Sequence, residues 1–94
     1  MRAVVAPQPD GAEELDLVER QVPRAGPGEV LIKVGAAGVN RPDILHHRGL
    51  YPPPPGAPDI LGLEVAGTVV EAGDGASDLA GRDVCALVAG GGYA

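Results

Sequence analysis

Leu63-Glu64-Val65-Ala66-Gly67-Thr68-Val69-Val70-Glu71-Ala72 reads as one long β-strand, and the glycine inside it, Gly67, predicts a bulge or a sharp bend. Gly73-Asp74-Gly75 then turns the chain, Asp83 to Val88 supplies a last strand, and Gly90-Gly91-Gly92 forms a loop. Upstream, Val30-Leu31-Ile32-Lys33-Val34 is apolar on nearly every residue, which suits a central strand covered on both faces. Glu14 to Val22 alternates apolar and charged in its first half and reads as a half-exposed strand. Arg2 to Ala6 is a short apolar run stopped by Pro7 and Pro9, a first strand.

One helix signal stands among these strands. Asn40 is a good N-cap, Pro42 falls in the first turn where its missing N–H does no harm, and Asp43 complements the helix dipole. Gly49 sits where a C-terminal cap belongs, so the helix spans about Arg41 to Arg48 and needs tertiary support. Tyr51 and Pro52-Pro53-Pro54-Pro55 follow as a stiff, extended loop. Short strands, many turns and one short helix predict a mainly β domain, a partly open β-barrel.

Composition agrees. The chain has 94 residues, room for one domain that buries roughly 60–65% of its unfolded surface. It has no Phe and no Trp, so β-branched and small side chains must close the core. A formal charge of −6 excludes nucleic acid as a partner, because nothing neutralises a run of phosphates. The single cysteine, Cys85, forms no internal disulfide and is expected as a small core residue. No apolar stretch approaches the ~20 residues needed to span a bilayer, and no signal peptide is evident, so the expected setting is cytoplasmic and off the membrane. The stop at Ala94, directly after Tyr93, leaves the barrel without a partner for its last edge and reads as a truncation.

Five segments in order carry a family resemblance: Met1 to Val5, Pro27-Gly28-Glu29-Val30-Leu31, Gly38-Val39-Asn40-Arg41-Pro42-Asp43, Gly49-Leu50-Tyr51-Pro52, and Ile60-Leu61-Gly62-Leu63-Glu64-Val65-Ala66-Gly67. Together they resemble the GroES-like N-terminal domain of the quinone oxidoreductase branch of the medium-chain dehydrogenase/reductase superfamily. In zinc-dependent relatives a Cys stands at the position of Asn40, and a His at that of Leu63 within Gly-His-Glu. Neither a carboxamide nor an isobutyl group replaces such a ligand. The relatives' four-Cys lobe has no counterpart in a chain with one cysteine. The resemblance therefore implies a zinc-free enzyme in which NADPH delivers hydride to a quinone or related conjugated carbonyl. A second reading is reduction of an activated C=C bond, as in enoyl or enal reductases. A third is a non-catalytic GroES-like module.

The resemblance also implies the site. Residues matching Asn40 and Tyr51 lie beside the nicotinamide, Asn40 orienting ribose or carbonyl and Tyr51 donating to the substrate oxygen. Leu45, where some relatives carry a second tyrosine, joins Tyr51 and Leu63 in the substrate pocket. The bland readings are a helix cap for Asn40, a half-exposed aromatic for Tyr51, a dipole partner for Asp43 and a structural hydrogen bond for Glu64. Gly81-Arg82-Asp83-Val84 inverts the family's Gly-Asp-Arg-Val, which bears on how the last strand starts. No G-x-G-x-x-G opens a helix anywhere in the 94 residues, so the main NADPH-binding unit is expected in a further Rossmann domain, through which the family often forms homodimers.

Overall fold

The computed structural model describes residues 1–6, 15–47 and 55–94. Among the described residues five strands and one helix follow the expected order: β1 Arg2–Val5, β2 Asp16–Glu19, β3 Val30–Ala37, α1 Arg41–His47, β4 Glu64–Ala72 and β5 Asp83–Leu87, with a 3-10 turn at Ser77–Leu79. The architecture is mainly β with one short helix. The expected C-terminal end of that helix and the loop at Tyr51 to Pro54 lie outside the described residues, as does Glu14.

Two antiparallel sheets form, β1-β2 and β3-β4-β5. The order of the second corrects the sequence expectation. β4 is the central strand and β3 an edge, because the continuous apolar run of β3 is only partly covered, with Lys33, Gly35 and Ala36 exposed. β4 instead buries Val65 and Val69 to 4% and 2% exposure. The predicted irregularity falls next to Gly67. Val34 pairs with Gly67 but Ala36 pairs with Ala66, leaving Gly35 as the extra residue on β3. A Cβ at position 67 would collide with the Lys33 carbonyl, so the close approach of β3 and β4 requires glycine there.

The inverted Arg82-Asp83 order leaves the start of β5 intact. Asp83 pairs directly with Thr68, and the Thr68 hydroxyl donates to Asp83 Oδ1 at 2.7 Å. Cys85 is exposed rather than buried, a second correction. β5 alternates, with Asp83, Cys85 and Leu87 outward and Val84 and Ala86 partly covered.

A seam joins the sheets. Val5 bridges Ile60, Leu61 N–H donates to Val4 O at 3.2 Å, and Val4 N–H donates to Tyr93 O at 3.0 Å. Ala3, Val5 and Ile60 are buried there, with Met1, Val18, Tyr93 and Ala94 packed around them. Between the sheets lies an apolar cavity of about 650 Å³ lined by Val30, Ile32, Val34, Val65 and Val88 among others, the interior of a partly open barrel. Among the described residues no helix is long and apolar enough to cross a membrane.

Candidate functional site

The N-terminal turn of α1 and the start of β4 meet at one place. Gly38 N–H donates to Glu64 O at 2.9 Å, and the Glu64 carboxylate occupies the space a Cβ on Gly38 would fill. This close approach sets Asn40 beside Glu64, where its Nδ2 donates to Glu64 Oε1 at 3.3 Å. Glu64 thus makes a structural hydrogen bond. Asn40 remains exposed, and its carboxamide keeps a second N–H and a carbonyl oxygen for a ligand.

Asn40 precedes α1 as expected, but its side chain turns to Glu64 and the cap runs through Asp43. The Asp43 N–H donates to Asn40 O at 3.0 Å, while Asn40 N–H donates back to Asp43 Oδ2 at 2.9 Å. This is the returning half of a capping box. Asp43 does more than complement a dipole, because it is 4% exposed. Its Oδ2 also accepts the Tyr93 hydroxyl at 2.7 Å, while its buried Oδ1 has no hydrogen-bond partner among the described residues.

Tyr93 is held firmly. Its N–H donates to Leu61 O at 2.8 Å, its carbonyl accepts from Val4, and its ring packs where a Cβ on Gly62 would lie, at 2.6 Å from Cδ1. Gly62 adopts φ +99°, a left-handed conformation that glycine tolerates. Partial burial, then the hydrogen bond to Asp43 and its charge, push the Tyr93 phenol up to about 12. At neutral pH its hydroxyl therefore stays protonated and donates to Asp43.

The geometry thus brings Asn40, Asp43, Glu64 and Tyr93 together. Leu63 is half-buried next to Glu64, Leu45 is half-buried on α1, and Tyr51 lies outside the described residues. No local signal in the sequence marks Tyr93, because its partner is 50 residues away. Among the described residues no three His, Cys, Asp or Glu side chains gather as a metal would require. What the cluster offers is oriented hydrogen bonding from an exposed carboxamide on a rigid support.

Residues 26–93 match the model of the alcohol dehydrogenase GroES-like domain. A synaptic vesicle membrane protein VAT-1 homolog of Rattus norvegicus is 38% identical over 80 residues, covering 83% of this chain and 20% of that protein. An L-threonine 3-dehydrogenase of Thermococcus kodakarensis is 41% identical over 85 residues, covering 84% of this chain and 23% of that protein. Among solved structures, the crotonyl-CoA carboxylase/reductase AntE in complex with NADP superposes with a TM-score of 0.65 at 31% identity, over 92% of this chain and 24% of that one. The chain thus spans about a fifth to a quarter of the length of these relatives.

Proposed function

The chain belongs to the alcohol dehydrogenase GroES-like domain family of the medium-chain dehydrogenase/reductase superfamily, and on that footing we propose that it forms part of a zinc-independent, NADPH-dependent reductase acting on quinones or related conjugated carbonyls. The observation that carries the reading is the donor set at the meeting of α1 and β4. Asn40 offers a carboxamide, Leu63 an isobutyl group, and Glu64 a carboxylate already accepting from Asn40. Zinc takes thiolate, imidazole or carboxylate, with three protein ligands usual in a catalytic site, and this set does not fit it.

A bound reduced nicotinamide supplies the hydride. This chain's part is to bind and orient. Asn40, anchored through Glu64, presents its remaining N–H and carbonyl to cofactor or substrate. Tyr51 donates a hydrogen bond to the substrate oxygen as negative charge develops on it. Leu45 and Leu63 give that oxygen an apolar surround. The pyrophosphate is held elsewhere, in a Rossmann domain of the longer protein, which works as a cytoplasmic homodimer. A second reading, reduction of an α,β-unsaturated thioester, draws support from the structural similarity to a crotonyl-CoA carboxylase/reductase holding NADP.

The test is NADPH oxidation by the full-length protein, with 1,4-benzoquinone and crotonyl-CoA compared side by side. The expected result is quinone turnover with far less than one zinc per chain. Tyr51→Phe should lower kcat by about a hundredfold or more, in the range typical of a single positioned proton donor; unchanged turnover removes Tyr51 from the site. One tightly bound zinc per chain, lost together with activity on chelation, would overturn the reading. Turnover of the thioester alone would favour the second one.

A further inference from the structure

Asn40 is tied from two sides, and the ties differ in strength. The Glu64 contact is long, at 3.3 Å, and both partners are exposed. The Asp43 contact is short, at 2.9 Å, and its carboxylate is buried. Such a carboxylate holds its orientation only as well as its own hydrogen bonds do. Among the described residues Asp43 Oδ1 finds no partner, and Oδ2 carries both contacts, one to the Asn40 N–H and one to the Tyr93 hydroxyl. Tyr93 in turn is fixed by main-chain bonds to Leu61 and Val4 and by the packing of Gly62 against it. A chain of contacts therefore runs from the seam between the sheets, through a phenol and a buried carboxylate, to the residue ahead of α1.

We infer that Tyr93 is a positioning residue, its hydroxyl fixing Asp43 so that Asp43 holds Asn40 in the pose presented to cofactor and substrate. The inference rests on the reading of Asn40 as a residue of the reaction cleft. Removing the hydroxyl leaves a buried carboxylate with a single donor, free to rotate away from the Asn40 N–H.

Two measurements on the full-length protein test this. In the cofactor-free protein, Tyr93→Phe should speed hydrogen exchange of the Asn40 amide by about tenfold, while the buried Val69 amide, bonded to Arg82 O just ahead of β5, stays unchanged. Equal acceleration at both, or none at Asn40, overturns the inference. In turnover with NADPH and 1,4-benzoquinone, Tyr93→Phe should lower kcat/KM about tenfold in the native background but less than about twofold when combined with Asn40→Ala, because both changes disable one unit. If Asn40→Ala by itself leaves kcat/KM unaltered, the cleft reading fails and the inference falls with it. If Asn40→Ala is costly but Tyr93→Phe costs the same in both backgrounds, the cleft reading stands and the inference alone is overturned. Should Tyr93→Phe fail to fold, Asp43→Asn takes its place in both measurements, keeping the side chain's shape while weakening Oδ2 as an acceptor.

Discussion

At position 67 a single hydrogen replaces a side chain, and the sheet depends on it. A methyl group there would press on the Lys33 carbonyl and the Ile32 side chain of β3, and main chain in the middle of a ladder has little room to yield. Gly67→Ala should therefore destabilise the 94-residue chain by roughly 1–3 kcal/mol, the usual cost of forcing an extra group into packed structure. Urea unfolding followed by circular dichroism measures it, and a midpoint within error of the native one would refute the close approach. Gly67 was legible in the sequence because glycine weakens a β-branched strand and persists there mainly where the backbone bends or another chain segment comes close. Tyr93 was not. Its hydroxyl meets a carboxylate 50 residues earlier in the chain, and no local spacing encodes that contact. Cys85 departs from the habit of its residue type for a related reason. Residue type favours burial, but which face of β5 is covered depends on what packs there.

Elements show the same division between local and distant causes. Helix α1 could be read from Asn40, Pro42 and Asp43 because caps and first-turn residues act within a few positions. Which strand lies at the centre of a sheet depends on pairing, and the apolar run of β3 misled because composition says nothing about neighbours. A distant tie also secures the segment leading into β3. Glu71 of β4 accepts the Ala25 N–H at 2.6 Å and the Arg24 guanidinium at 3.0 Å. The Ala25 bond first, then the one from Arg24, hold the Glu71 carboxyl below its ordinary value of 4.5. The folded state therefore binds this proton less tightly than the unfolded chain does. Stability from Glu71 is present above about pH 4.5 and is lost as the pH falls through the folded value. Glu71→Gln should be less stable than the native chain at neutral pH, with the gap closing as the solution is acidified below that point. Urea midpoints between pH 7 and 3 provide the check, and a constant gap would show that the carboxylate contributes nothing to the tie.

The described residues form two small sheets joined at a seam beside an apolar cavity, and Tyr93 sits where the seam meets the helix. Because its phenol is pushed from 10.0 to about 12, the folded chain keeps this proton at a pH where the unfolded chain releases it. The sign is thus opposite to that of Glu71. The contribution is complete below pH 10 and declines as the pH rises through about 12, so alkali works against the folded state. Tyr93→Phe lacks the hydroxyl and has no such dependence. Across this window the native chain should lose its advantage over the variant, whereas between pH 7 and 9 the advantage should be constant. Urea midpoints of the two proteins at closely spaced alkaline pH values measure this directly. Absorbance of tyrosinate in the folded native chain offers a second test, with one phenol ionising well after the ordinary range. Curves for native chain and variant that stay parallel through the window would mean that the phenol is not tied to Asp43, and the link from the seam to α1 would have to be carried by the main chain alone.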